Sequence, residues 1–377
     1  MNRPLLLYVT DSQAFGGAEG YLQTLLLHAD QKRYRVGLML PLSEGTQMLV
    51  KQAQEHGLSV TFFGQTHREG LKPTWVAQAA LLLRKLKPTI VHFNLPSPRC
   101  CAETILAAYL INIPQRLATF HLAPQVPPFG GLMGKVRELN RKFQYRTLQR
   151  GITVSPGNKR LLIEQQGFPA ERLTLIPNGV DTQVFYPRIA DETLRERWGI
   201  PSRVPLIGLV GRLSRQKGHT NLFAALPKVW EVFPEAHLVL VGEGELEASL
   251  RTQAAQLDSQ GRIHFVGQQV QMPQVLATLD LFVLPSLYEG LPFALLEAMA
   301  MERAIVATAV DGTVDLLTHQ QEGLLIPPGE VAPLATAMIH LLGDENLRQQ
   351  LGQAARRKVV NYFEQKDMIA QTFSLYR

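Results

Sequence analysis

The sequence predicts an α/β protein of two doubly wound domains, each a parallel sheet covered by helices. Two observations carry that prediction. Thirteen short runs rich in Leu, Val, Ile and Phe alternate with stretches long enough for helices. Most runs are continuously apolar, as strands buried on both faces must be, whereas a half-exposed antiparallel sheet would alternate. The series also restarts part-way along. A chain of 377 residues exceeds one ordinary core, so two domains of roughly 180 residues are expected.

Seven strands are expected in the first half, at Leu5–Thr10, Arg35–Leu40, Ser59–Phe63, Thr89–Phe93, Arg116–Phe120, Ile152–Ser155 and Leu173–Ile176. Six follow, at Leu206–Val210, His237–Val241, Ile263–Val266, Leu281–Leu284, Ala304–Ala307 and Leu324–Ile326. Between the two series, Gly179, Pro187, Gly199, Pro201 and Pro205 lie amid charged residues. That composition reads as a linker, so the boundary falls within Asn178–Pro205. From Asp344 onward two helices are expected, separated at Tyr362-Phe363.

Composition narrows the class. Apolar residues make up 46% and charged residues 19%, as in soluble globular proteins. The run Leu5–Thr10 is too short for a signal peptide's apolar core, and no stretch approaches the ~20 apolar residues a bilayer span needs. A cytoplasmic protein is expected, peripheral at the inner face of the membrane if it binds one. Cys100 and Cys101, the two cysteines, read as a structural thiol pair on a helix. Charge is uneven. Residues 1–180 hold 21 Lys and Arg against 10 Asp and Glu, and the remainder holds 17 against 22. The basic half points to an acidic partner.

The segment Leu206–Gly218 ends a buried strand at Gly211 and continues with Arg212 and Lys217 in a loop that opens a helix near His219. Glycines allow a ligand close to the backbone, and a helix N-terminus with two cations suits a diphosphate. Surface cations in a loop are often merely solvated. Their place at the carboxyl end of a strand, where open α/β sheets bind ligands, favours the binding role.

In Leu281–Ala300, Pro292 favours the first helical turn, which leaves Glu289 in the preceding loop and Glu297 inside the helix. Three and four positions from Glu297 stand Phe293, Ala294, Ala300 and Met301. None can pair with a carboxylate, so Glu297 needs a distant cation or a hydroxyl-rich ligand.

These segments, taken with others, resemble the retaining GT-B glycosyltransferases of family 4, the group 1 transferases. The shared motifs are Gly16-Gly17-Ala18-Glu19, Val91-His92-Phe93, Thr119-Phe120-His121, Val154-Ser155 and Ile176–Asp181, followed by Gly211-Arg212 through Lys217-Gly218 and Val241–Gly244. Glu289 and Glu297 stand at the family's spacing, and Phe363–Tyr376 resembles its closing helix. The resemblance implies an N-terminal Rossmann-like, acceptor-side domain over 1–185 and a nucleotide-sugar domain over 186–360, facing across a cleft. Residues 361–377 would cross back to the first domain.

It also implies roles. Arg212 and Lys217 would hold the donor diphosphate and stabilise the charge growing on it. Glu297 would accept from ribose hydroxyls, and Glu289 would contact the transferred sugar beside the amides of Gly290, Leu291 and Phe293, with Pro292 between them. Gly16 and Gly17 would admit the phosphates, and His121 would lie beside the sugar. His92 reads as structural, since the second histidine usual two positions later is Asn94 here. The expected activity is retaining, metal-independent hexosyl transfer from a nucleotide-diphosphate sugar, without a cofactor, to a glycan or lipid-linked acceptor in cell-surface polysaccharide or glycolipid synthesis.

Two departures stand out. The family's Gly-Gly-Glu after the sixth strand is replaced by Asp311–Asp315, read as a loop, and the Trp usual before the last helix is absent after Phe363. A nicotinamide dehydrogenase would need a third glycine after Gly242 and Gly244, where Glu247 stands. A sugar-nucleotide epimerase or hydrolase, and a silent partner in a polysaccharide-assembly complex, stay open as alternatives. The segment Lys135–Arg146 reads as an amphipathic helix whose stripe Val136, Leu139 and Phe143 packs on its own domain. A sharper reading has its cations lean on anionic lipid. Nothing interleaves aromatic and basic residues as a nucleic-acid reader would.

Overall fold

In a computed structural model, which describes residues 3–64, 72–97, 100–123, 139 and 141–376, thirteen strands form among the described residues. They are β1 (Leu5–Val9), β2 (Arg35–Pro41), β3 (Ser59–Phe63), β4 (Ile90–Leu95), β5 (Gln115–Phe120), β6 (Arg150–Thr153), β7 (Leu173–Leu175), β8 (Leu206–Val210), β9 (His237–Val241), β10 (Ile263–Phe265), β11 (Leu281–Leu284), β12 (Ala304–Thr308) and β13 (Leu324–Ile326). Each predicted strand is present, with ends shifted by at most two residues. The continuous apolar runs explain why: β1, β4 and β11 are buried along their whole length.

The strands assemble as β3-β2-β1-β4-β5-β6-β7 and β10-β9-β8-β11-β12-β13. Every pairing is parallel. Both sheets are therefore doubly wound. The winding reverses between β1 and β4 in the first and between β8 and β11 in the second. Such switch points open a crevice at the carboxyl ends of the strands, which is where ligands bind in open α/β sheets.

The chain divides into Met1–Pro177 with Met368–Arg377, and Asn178–Asp367. In the first unit a ring cluster of Phe120, Tyr145 and Phe168, with centroids 5.3–5.4 Å apart, packs edge-on and tilted beneath the sheet. Tyr145 remains buried because its hydroxyl donates to Gln166 Oε1 at 2.9 Å. The second core joins the sheet to the helices His219–Val232 and Val331–Gly343 through Leu222, Leu226, Leu334 and Met338.

The Gly- and Pro-containing stretch after Asn178 is not a free linker. It holds the short helix Glu192–Arg197, and the buried Arg195 donates to the carbonyls of Val204 and Thr278 at 2.8 Å each and pairs with Asp280 at 3.2 Å. A guanidinium can be buried there because three acceptors converge on its planar fork. Near the end, Asp344 caps the helix Glu345–Tyr362 by accepting from the Leu347 amide at 2.9 Å. The Val180 amide then donates to Phe363 O, and Gln365 donates back to Val180, which turns the chain into the helix Gln365–Ser374.

Two readings are corrected. Cys100 and Cys101 precede the helix Ala102–Leu110 rather than lying on it; Cys101 is its left-handed N-cap, and its amide donates to Asp11 Oδ2 at 2.7 Å. Asp311–Asp315 is not a loop but most of a short helix, Asp311–Leu316. Residues 141–147 are helical, and Phe143 sets its ring edge-on to Tyr109 of the same unit at 5.9 Å between centroids while staying 49% exposed; Leu139 is 69% exposed. Val136 lies outside the described residues. No helix among those described is long and apolar enough to cross a membrane.

Candidate active site

Each switch point gathers predicted residues. In the second unit, β8 leads into Arg212 and the tight turn Arg215–Lys217, and β11 leads into Ser286–Glu289. Lys217 Nζ donates to Glu289 Oε1 at 2.6 Å, with both side chains largely buried. The Ser286 hydroxyl donates to the same oxygen at 2.6 Å. Gln216 completes the junction: its amide nitrogen donates to Tyr288 O at 2.9 Å and reaches Glu289 Oε2 at 3.4 Å, while its carbonyl accepts from Leu287 N at 2.7 Å. The loops after β8 and β11 are thus stapled together. Gly218 is obligatory there, since it sits at φ 68° and a Cβ would lie 2.0 Å from Pro285 O.

Lys217 is therefore not the free cation the sequence suggests, since Glu289 already neutralises it. Arg212 is different. It is exposed, and its guanidinium has no partner among the described residues. Gln216 and Ser286 were missed because neither type signals a site on its own. Only their spacing to Lys217 and Glu289 could have found them.

Pro292 stands at the N-cap of the helix Phe293–Ala300, one position earlier than expected, with φ −71°. The Leu295 and Leu296 amides both donate to Pro292 O, whereas those of Gly290, Leu291, Phe293 and Ala294 have no described acceptor. They form an unfilled set of donors at a helix N-terminus, suited to an anion or a sugar oxygen. Asn178 Nδ2 holds this loop by donating to Leu291 O at 2.7 Å. Gly312 supports it from the other side, because a Cβ there would lie 1.9 Å from Gly290 O.

Glu297 follows on the same helix, half-buried, and its carboxylate has no partner among the described residues. Desolvation alone pushes it from the ordinary 4.5 up to about 8. Among the described residues no distant cation supplies what its helical neighbours lack.

In the first unit, Gly16 caps the helix Gly17–His28 after β1. Asn94, near the end of β4, donates to Ala18 O at 3.0 Å, and its Oδ1 lies 2.8 Å from His121 Nε2. Tyr21 sets its ring edge-on to His121 at 4.7 Å between centroids. Asn158 Nδ2 donates to His121 O at 3.1 Å, and Ser155 in turn caps Asn158's helix through its amide. The helix that Gly16 caps and Gly17 opens thus meets His121 through Asn94 and Tyr21, and Ser155 supports it through Asn158. His92 is structural: it is buried, with Nδ1 against the Tyr376 hydroxyl and Nε2 2.8 Å from Thr119 Oγ1.

Comparison with known proteins bears on this geometry. Residues 15–184 match the family model Glycosyltransferase Family 4, and residues 190–358 match Glycosyl transferases group 1. Phosphatidyl-myo-inositol mannosyltransferase of Mycolicibacterium smegmatis is 30% identical over 305 residues, covering 79% of this chain and 71% of that one. The chain belongs to the family 4, group 1 glycosyltransferases. UDP-Gal:alpha-D-GlcNAc-diphosphoundecaprenol alpha-1,3-galactosyltransferase of Escherichia coli is 27% identical over 307 residues, covering 78% of this glycosyltransferase and 76% of the relative. The fold is that of the GT-B transferases: the crystal structure of Anabaena HepE with UDP and glucose superposes with a TM-score of 0.83, at 22% identity and 99% coverage of both chains.

Proposed function

We propose that this glycosyltransferase is a retaining, metal-independent hexosyltransferase. It moves a sugar from a nucleotide-diphosphate donor to a glycan or lipid-linked acceptor, in the synthesis of a cell-surface polysaccharide or glycolipid. The observation that carries the reading is Glu297, a half-buried carboxylate without a described partner, one turn behind an unfilled set of backbone donors. Ribose hydroxyls donating to Glu297 would stabilise its ionised form. The donor diphosphate takes Arg212 and shares Lys217 with Glu289, and these cations stabilise the charge that accumulates as the glycosidic bond breaks. Attack comes from the face the leaving group departs, with the departing phosphate accepting the proton of the acceptor hydroxyl. Glu289, already holding Lys217 and Ser286, positions the donor sugar rather than acting as an acid or base.

Known relatives support the acceptor class, since one is named for a diphosphoundecaprenol-linked substrate and another for phosphatidyl-myo-inositol. The exposed Leu139 and Phe143, beside Arg141, Lys142 and Arg146, are suited to reaching such an acceptor at an anionic lipid surface. Transfer assays with UDP-, GDP- and ADP-sugars and a lipid-diphosphate acceptor test the reading, with the product's anomeric configuration read by NMR. We expect an unchanged anomeric centre and full activity after chelation. An inverted product, or loss of activity with EDTA that Mg²⁺ restores, would overturn it.

A further inference from the structure

Asn94 is 1% exposed and stands between two groups of fixed demand. On one side its side chain meets the Ala18 carbonyl at 3.0 Å, and on the other His121 Nε2 at 2.8 Å. A carbonyl can only accept, so the amide nitrogen must face Ala18 and the amide oxygen must face the imidazole. That oxygen can only accept in its turn. The proton of a neutral His121 ring must then sit on Nε2, which leaves Nδ1 with its lone pair.

We infer that Asn94 is a positioning residue that fixes His121 as the Nε2–H tautomer, so that Nδ1 meets the substrate as a hydrogen-bond acceptor. Nδ1 has no partner among the described residues, and His121 keeps 9% of its surface exposed. Among the described residues, Tyr21 from the helix Gly17–His28 meets the ring edge-on, and His92 from β4 acts on it electrostatically. Burial, with a smaller contribution from His92, pushes the imidazole down to about 3, so the ring stays neutral near physiological pH. Main-chain bonds to Leu95 O and from Asn158 hold its backbone on both sides. His121 can thus receive a hydroxyl proton in a hydrogen bond and has none to give from Nδ1. A hydroxyl of the donor sugar or acceptor is the group that fits, and that identity rests on the function proposed above; the tautomer does not.

Two measurements on the full chain test this. In protein carrying ¹⁵N-labelled histidine, a long-range proton–nitrogen spectrum should show His121 as Nε2–H without titration from about pH 6 to about pH 8. The signal is assigned by its loss in His121→Gln. An Nδ1–H or charged ring in the wild type overturns the inference. The second measurement uses Asn94→Asp, which keeps the size and puts a carboxylate beside Nε2. His121 should then titrate near neutrality, and transfer should fall about tenfold per pH unit below the raised pKa as Nδ1 gains a proton. A profile matching the wild type overturns the inference. A wild type with the Nε2–H signal but no sugar transfer would uphold the tautomer and sink the functional reading.

Discussion

Arg212 and Lys217 look alike in the sequence, yet the fold gives them different work. Lys217 neutralises a buried carboxylate, so Lys217→Ala leaves Glu289 with Ser286 and a long contact to Gln216. Breaking a buried pair on one side typically costs about 3–5 kcal/mol. Arg212 is exposed and unpaired among the described residues, so Arg212→Ala should stay within about 0.5 kcal/mol of wild type. Urea unfolding of the two variants checks the contrast, and equal losses would refute it. Glu297 carries a pH signature. Its carboxyl is raised in the folded chain, so between about 4.5 and about 8 the native state holds a proton that the unfolded state has released. Stability from this group is full below about 4.5 and is lost as pH rises towards about 8. Glu297→Gln should therefore raise the melting point near pH 8 and leave it almost unchanged near pH 4.5, each kcal/mol being worth about 2–4 °C. A pH-independent difference would show that the carboxyl is not desolvated. That Glu297 lacks a partner on its own helix was legible from its neighbours three and four positions away. The Lys217–Glu289 pairing was not, because 71 intervening residues hide a contact that exists only once β8 and β11 lie side by side.

At the scale of elements, the departure at Asp311–Asp315 becomes intelligible. The segment is helical, and its Gly312 abuts the backbone at Gly290, so it sets the position of the amides at Gly290 and Leu291 without offering a side chain. Gly312→Ala cannot relax by side-chain motion, since backbone blocks it. We expect destabilisation of about 1–3 kcal/mol and weaker nucleotide-sugar binding, although the residue touches no ligand. Wild-type affinity in that variant, by titration calorimetry, would show that the loop does not depend on the contact. Strands were read from sequence almost to the residue because continuous apolar runs bounded by Gly, Pro and charge leave few alternatives. Asn94, Asn158 and Asn178 were not read as supports, since an amide declares its role only when its two partners are in place.

Taken whole, the molecule is two doubly wound units whose chain order does not match their composition, because Met368–Arg377 belongs with the first. Tyr376 shows why. Its ring is buried against Tyr8 and His92, its hydroxyl meets both, and its carbonyl accepts from Tyr34 at 2.7 Å. Tyr376→Ala should cost about 3–5 kcal/mol, as for other buried aromatics, and a chain ending at Pro177 should melt below the same unit in the intact protein. A calorimetric scan in which neither change lowers the first unit's transition would contradict this. The sequence disclosed the architecture and, through the family motifs, the residues at both switch points. It could not disclose that Glu289 is spoken for while Arg212 and Glu297 have no side-chain partner among the described residues. The claim that these two hold a nucleotide-sugar is tested most directly by isothermal titration of the preferred nucleotide-sugar into wild type, Arg212→Ala and Glu297→Ala. We predict tight binding to wild type, with proton release below about pH 8 as Glu297 ionises, and affinity at least about tenfold weaker in each variant. Unchanged affinity in both variants would contradict the account.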